Sequence, residues 1–158
     1  MRLRGLITED FTNYKKPSMF IISPTCNFKC CVEANTNVCQ NMDIVKQPIV
    51  DIDDDILIER YLSNPITKAI VFGGLEPFES FEEVYQFISK LRWDYSCFDD
   101  VVIYTGFYPE EIVDEVMRLS KFTNIIVKFG RFIPGHKEHY DPILCVNLAS
   151  NNQYAEEL

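Results

Sequence analysis

Short, nearly continuous runs of apolar residues recur along the chain and predict strands that are buried on both faces. Between these runs the apolar positions follow the helical period of 3.6 residues. Because strands that alternate with helices form β-α-β units, the pattern predicts an α/β fold with a parallel sheet and right-handed crossovers. The predicted strands are Met19–Ser23, Ala69–Phe72, Val101–Tyr104, Ile125–Val127 and Leu144–Leu148.

Three segments between the strands carry the signals of helices. Residues 53–62 begin with acidic side chains, which favour a helix N-terminus. Ser80 and Glu83 resemble a capping box that opens a second helix. Pro109 is typical of a first helical turn, and an apolar stripe follows it over residues 112–119.

One segment, Pro24–Pro48, breaks this rhythm because it has no sustained period and is rich in Asn, Cys and Thr. A loop of this length inside a compact domain is usually functional or disordered. Four of the six cysteines lie in it, at Cys26, Cys30, Cys31 and Cys39, which favours a functional loop.

The length and charge narrow the class of protein. A chain of 158 residues suggests one domain over residues 1–158. Its net charge of −9 argues against general nucleic-acid binding and against adsorption to anionic lipid. We find no segment with the pattern of an export signal or a membrane span and therefore expect a cytoplasmic protein. In that reducing compartment, clustered thiols indicate metal binding or catalysis rather than disulfides.

The cysteine cluster leaves two metal centres open. Zinc would take four closed ligands, and all four clustered cysteines can supply them. An iron–sulfur cluster can use three cysteines and leave one iron open. Since the adjacent Cys30 and Cys31 rarely both point comfortably at one metal, we favour three ligands with one spectator.

Each unusual short stretch follows a predicted strand. In parallel α/β folds the carboxyl ends of the strands share one rim, where ligand sites form. After the first strand come the cysteines, and the later stretches are Gly73–Pro77, Thr105–Gly106, Gly130–Phe132 and Ser150–Gln153. This convergence predicts one ligand site at the rim.

Individual residues at this rim allow two interpretations. Gly73 and Gly74 permit a close approach to the backbone, although a Gly-Gly pair is also common in an ordinary turn. Glu76 can accept hydrogen bonds from an ammonium group. Lys128 and Arg131 are candidates for contacting a ligand carboxylate, or else exposed charges at a strand end.

Together these stretches resemble the radical S-adenosylmethionine (radical SAM) enzymes, and specifically the small activating proteins of anaerobic ribonucleotide reductase. Cys26-Asn27-Phe28-Lys29-Cys30 matches the first half of the family's CxxxCxxC loop, and Cys39-Gln40-Asn41 looks like its end. Gly73-Gly74-Leu75-Glu76-Pro77 is similar to the family's Gly-Gly-Glu-Pro stretch, and Tyr104-Thr105-Gly106 resembles its next strand end. The resemblance runs over nearly the whole chain.

The resemblance implies a fold and a cofactor. The fold would be a parallel-stranded partial (half) TIM-type barrel with the cysteine-rich loop after its first strand. Cys26, Cys30 and Cys39 would hold a [4Fe–4S] cluster, with Cys31 as the reserve ligand. The fourth iron would chelate the amino and carboxylate groups of S-adenosylmethionine (SAM).

The resemblance also implies roles at the rim and a partner. Gly73 and Gly74 would lie beside the methionine moiety of SAM, Glu76 near its ammonium group and Thr105 near its ribose. Cleavage of SAM would yield a 5′-deoxyadenosyl radical, which abstracts hydrogen from a glycine of a glycyl-radical enzyme such as anaerobic ribonucleotide reductase. A flavodoxin or ferredoxin would supply the electron.

Three departures from the family pattern keep a second function open. Eight residues, Cys31–Val38, separate the second and third ligands where the family has two. Leu75 stands between the glycine pair and Glu76, and Phe129 stands where members often have an acid. These departures favour the alternative of a non-catalytic iron–sulfur or zinc module for electron transfer, sensing or scaffolding.

Overall fold

The computed structural model describes residues 1–158 and has a mixed α/β architecture. The helices are α1 (Lys29–Ala34), α2 (Asp54–Ser63), α3 (Phe81–Trp93) and α4 (Val113–Leu119). The strands are β1 (Arg2–Leu3), β2 (Gly5–Asp10), β3 (Ser18–Ile22), β4 (Val50–Asp51), β5 (Ala69–Gly73), β6 (Asp100–Tyr104), β7 (Ile125–Phe129), β8 (His139–Asp141), β9 (Val146–Leu148) and β10 (Tyr154–Glu157). No helix is long and apolar enough to cross a membrane.

Six strands form the main sheet in the order β10-β7-β6-β5-β3-β2. The four central strands are parallel and lie side by side in chain order. The two edge strands, β2 and β10, are antiparallel to their neighbours. The predicted parallel sheet with β-α-β units is therefore present, with an antiparallel strand added at each edge.

The two faces of the sheet are covered differently. Alternate strand residues such as Met19 and Phe72 pack with buried residues of α2, α3 and α4 in the larger core. The intervening residues, such as Phe20 and Val71, form a smaller core with Leu148 from the β8–β9 hairpin. Because the helices share one face, the opposite face carries no helix, and residues of that face near the carboxyl ends of the strands line a pocket. The arrangement suits a partial barrel, and the finer half-barrel assignment stays a prediction.

The predicted fifth strand over residues 144–148 is present only in part, as β9, and it does not join the main sheet. Residues 142–145 form a turn that ends with Cys145 at φ +59°, and only β9 is extended. β9 pairs with β8 in a separate two-stranded sheet. The last strand of the main sheet is β10, which begins at the rim because it runs antiparallel to β7. Residues 150–153 therefore lie at the rim because they precede a strand, whereas the other stretches at the rim follow one.

Two helix predictions need correction, whereas α2 and the apolar face of α3 are confirmed. The Ser80 side chain makes no cap hydrogen bond to α3. Glu83 binds the backbone N–H and guanidinium of Arg2 instead, so a tertiary contact replaces the expected capping box. The helix expected from Pro109 is interrupted at Ile112, whose φ of −139° separates a 3₁₀ turn from α4.

The segment of residues 24–48, here called the cysteine segment, contains two short ordered elements within its loops. Helix α1 begins after Phe28, which has the left-handed φ of +55°, and ends at Asn35 with φ +50°. A 3₁₀ turn follows at Ile44–Lys46. The two left-handed residues confine α1 to six residues, so the backbone folds back before and after the helix.

Candidate metal and ligand site

A pocket of about 500 Å³ lies at the rim of the sheet. Its walls come from the cysteine segment, from the turns after β5, β6 and β7, and from the hairpin strand β9. Phe20, Ile22, Tyr104 and Lys128 line it from the sheet face that carries no helices. Residues from each predicted post-strand stretch line this pocket, so the stretches converge in space, and their role as a ligand site stays a prediction.

Three of the four clustered cysteines line this pocket. They are Cys26, Cys30 and Cys39, whereas Cys31 is not part of the lining. Cys26 Sγ accepts a hydrogen bond from the Phe28 N–H at 3.3 Å, and Cys39 Sγ accepts one from the Asn41 N–H at 3.4 Å.

The fourth thiol, Cys31, lies beside Cys30 but outside the pocket lining. Its Sγ lies 3.6 Å from Asn37 Oδ1 and 4.0 Å from Cys30 Sγ. The two thiols of α1 are therefore in contact, although only Cys30 lines the pocket.

The surroundings of the pocket thiols disfavour their negative charge without a metal. Burial, together with repulsion from Glu76 and Cys39, raises the pKa of Cys26 to about 11, although a hydrogen bond from the Phe28 N–H lowers it. Burial and the neighbouring thiols raise the pKa of Cys30 to about 12. A bound metal offsets this cost because it replaces the protons with positive charge.

The donor chemistry of the pocket therefore fits an iron–sulfur cluster, whose irons prefer thiolate ligands. No three His, Cys, Asp or Glu side chains are arranged to hold a single metal ion.

The Glu76 side chain joins two turns of the rim. Its Oε1 accepts hydrogen bonds from the Thr105 hydroxyl at 2.7 Å and from the Phe78 N–H at 3.2 Å. Its Oε2 accepts one from the Gly106 N–H at 2.8 Å. Burial raises the pKa of Glu76 to about 6, although these hydrogen bonds and Lys128 work in the opposite direction. The carboxylate lines the pocket while it holds the turns after β5 and β6 together.

The glycine pair that precedes Glu76 has a packing requirement. Gly74 lines the pocket and has φ +74°, and a Cβ there would lie 2.9 Å from Ile22 Cγ2. Gly73, the last residue of β5, does not line the pocket, and a Cβ there would crowd Phe20 and Tyr104. Both positions therefore require glycine for close packing of the strand ends.

Two cations at the end of β7 are buried, so the interpretation as exposed strand-end charges is wrong. Lys128 is 6% exposed and donates to the Gly130 carbonyl at 2.8 Å, and Arg131 is 4% exposed. Burial lowers the pKa of Lys128 to about 7, although Glu76 works in the opposite direction. Both side chains line the pocket.

Arg4 clips the two ends of the cysteine segment together. Its Nε donates to the Pro24 carbonyl at 2.6 Å, and its Nη1 donates to the carbonyls of Val45, at 2.6 Å, and Gln47. Sequence reasoning missed Arg4 because its partners lie 20 to 43 residues away and no local motif marks it.

We expect Arg4→Ala to loosen the cysteine segment. Hydrogen bonds from a charged donor contribute about 1.5–3 kcal/mol each, so iron release to a chelator should accelerate about tenfold or more. Arg4→Lys should recover only part of the loss because an ammonium lacks the planar fork of a guanidinium. Arg60→Ala, on the exposed side of α2, is the matched control. Equal release rates in Arg4→Ala and the control would contradict the clip.

Residues 18–154 match the family model described as a 4Fe-4S single cluster domain. The chain belongs to this family. The match begins with β3, ends at the first residue of β10 and includes all four clustered cysteines, so this 4Fe-4S single cluster domain is an iron–sulfur, metal-binding protein. Searches of curated proteins and of solved structures give no match.

Proposed function

We propose that this 4Fe-4S single cluster domain is a radical SAM enzyme that activates a glycyl-radical partner, with anaerobic ribonucleotide reductase as the favoured partner. The observation that carries the proposal is the division of the cysteines. Cys26, Cys30 and Cys39 line the pocket and Cys31 does not. Three cysteines are one ligand short for four irons, which leaves one iron for the amino and carboxylate groups of SAM.

The pocket supports a ligand of this size and character. A volume of about 500 Å³ lies within the range of small-molecule sites. The lining combines apolar side chains such as Ile22 and Phe107 with the polar groups of Glu76 and Lys128. A nucleoside with a charged amino-acid tail has the same combination of apolar and charged parts.

The cluster and SAM, when bound, supply a 5′-deoxyadenosyl radical after one-electron reduction by a flavodoxin or ferredoxin. The protein has to orient the reactants and exclude water. Glu76 offers carboxylate lone pairs at the pocket wall beyond those used by its protein donors. Thr105 is buried, donates to Glu76 and accepts from the Phe107 N–H at 3.0 Å, so it keeps that carboxylate in place.

The test is a titration of the reduced, iron-loaded protein with SAM under anaerobic conditions. We expect the EPR spectrum of the cluster to change on addition of SAM, and 5′-deoxyadenosine to be released. Cys31→Ala is the matched control and should behave like the unchanged protein. Cys30→Ala should lose the signal altogether.

A second candidate function is favoured by the internal hydrogen bonds of Glu76. Because protein donors already bind both of its oxygens, the same pocket also suits a non-catalytic iron–sulfur module for electron transfer, sensing or scaffolding. If the EPR spectrum of the iron-loaded protein does not change on addition of SAM, and no 5′-deoxyadenosine is released, the first function is excluded and the second is supported.

A further inference from the structure

The helix that carries Cys30 is attached to the rim by charged side chains rather than by an apolar face. No residue of α1 is buried. Lys29 and Glu33 are four residues apart and therefore lie on the same side of the helix. Lys29 forms an ion pair with Glu111, and Glu33 Oε1 lies 3.0 Å from Arg131 Nε.

On the rim side of this contact, the buried Arg131 pairs with Glu111, whose side chain is 22% exposed. The Nη1 and Nη2 atoms of Arg131 donate to the two carboxylate oxygens of Glu111 at 2.7 and 2.5 Å. Nη1 also donates to the Gly106 carbonyl at 3.0 Å, and the guanidinium stacks over Tyr108 with 4.9 Å to the ring centre. A bidentate pair that is also held by the Gly106 carbonyl and the Tyr108 ring keeps its geometry better than a single exposed ion pair does.

The charges alternate in sign around the contact. Burial favours the neutral form of Glu111, yet hydrogen bonds from Lys29 and the Tyr108 N–H, together with the charge of Arg131, lower its pKa. Lys29 Nζ also lies 5.2 Å from the ring centre of Phe107. Arg131 Nε has no hydrogen-bond acceptor, so its contact with Glu33 is an ion pair without a hydrogen bond.

We propose that these four residues, Lys29, Glu33, Glu111 and Arg131, form a charge network that positions the Cys30 thiol for cluster binding. Arg131 is the positioning residue, because it is the buried member and joins Glu33 of α1 to Glu111. Lys29 directly precedes Cys30, so a shift of α1 along the rim moves the thiol by a similar distance. The inference rests on the proposed function only in taking Cys30 as a cluster ligand.

The network has to weaken with salt as other partly exposed ion pairs do. Screening shortens the Debye length from about 10 Å at 0.1 M to about 3 Å at 1 M. The buried Arg131–Glu111 pair is screened less than the two pairs that reach α1. Rising salt should therefore weaken the two ion pairs that attach α1 before it weakens the Arg131–Glu111 pair.

The experiment compares iron-loaded variants by iron release to a chelator and by the EPR signature of the reduced cluster. We expect Glu33→Lys to release iron about tenfold faster than the unchanged protein at about 0.1 M salt, with a broadened EPR signal, and the gap to narrow at about 1 M salt. Arg131→Lys should show the same direction, since it keeps the charge and loses the fork. Glu33→Asp, which keeps the negative charge, should release iron almost as slowly as the unchanged protein. Glu59→Lys, with the same charge change on exposed α2, is the control.

The outcomes separate this inference from the proposed function. If Glu33→Lys and Arg131→Lys match Glu59→Lys in release rate and EPR signature while Cys30→Ala loses its cluster, the network has no positioning role. If Cys30→Ala keeps its cluster, the proposed ligand set is wrong and the inference is overturned with it. If Glu33→Asp released iron as fast as Glu33→Lys does, that result would also contradict positioning by charge.

Discussion

Cys26→Ala, Cys30→Ala and Cys39→Ala should each lose the iron–sulfur cluster, whereas Cys31→Ala should keep it. The first three thiols line one pocket and the fourth does not. Removal of one of three thiolates leaves a second iron without a protein ligand, so the cluster should be lost. We expect iron content after anaerobic reconstitution to fall more than tenfold in the three pocket variants.

Cys31→Ala is the control of this series, because it removes a thiol from the same helix that does not line the pocket. Its iron content and visible absorption should equal those of the unchanged protein. Loss of the cluster in Cys31→Ala, together with its loss in the other three, would instead show a site closed by four cysteines. That result would remove the open iron on which SAM binding depends.

Lys128→Met should change how the stability of the metal-free protein depends on pH. Burial lowers the pKa of Lys128 from 10.5 to about 7, so the unfolded chain binds more protons than the folded one between these values. Stability therefore rises with pH above 7. From pH 7 to 9 the gain is about 2–3 kcal/mol, and Lys128→Met should abolish it. Denaturant unfolding at several pH values measures the effect.

Between pH 7 and 9 the N-terminal ammonium of Met1 works against Lys128. Burial lowers its pKa, but hydrogen bonds and charge from Asp54 and Asp51 raise it above 8.0, so its contribution to stability falls with rising pH in Lys128→Met and in the unchanged protein alike. Glu76, whose pKa is raised to about 6, makes stability fall with rising pH only up to that value. The raised pKa values of Cys26 and Cys30 lower stability only above about 9. Lys121→Met, at an exposed position, is the matched control and should keep the slope of the unchanged protein. A slope that survives in Lys128→Met would show that its ammonium is hydrated in the folded state.

The central elements were predictable because their signals are local. The runs in β3, β5, β6 and β7 are apolar on both faces, and the structure buries both faces. Strand β2 escaped prediction because its exposed residues Ile7, Thr8 and Glu9 mix apolar and polar types without alternation. The strand predicted over residues 144–148 was only partly correct, because a short apolar run does not distinguish a strand of the main sheet from a turn followed by a hairpin strand that packs on the sheet.

The candidate site was predictable where chemistry and sequence order coincide. The clustered thiols and the turns after successive strands follow directly from the parallel topology. Arg4 and Glu111 were not predictable, because their roles depend on partners far along the chain. The burial of Arg131 depends on the turn after β6 folding over it, which no neighbouring residue signals.

The antiparallel strands at the two edges of the sheet have a consequence for aggregation. An open edge can pair with a second copy through its backbone. Here Glu9 on β2, and Glu156 and Glu157 on β10, are exposed, and the register of β2 shifts between Ile7 and Asp10. Edge-to-edge pairing would place like charges opposite one another in a chain that already carries a net charge of −9. Charge repulsion at both edges thereby disfavours the growth of a continuous sheet with neighbouring molecules.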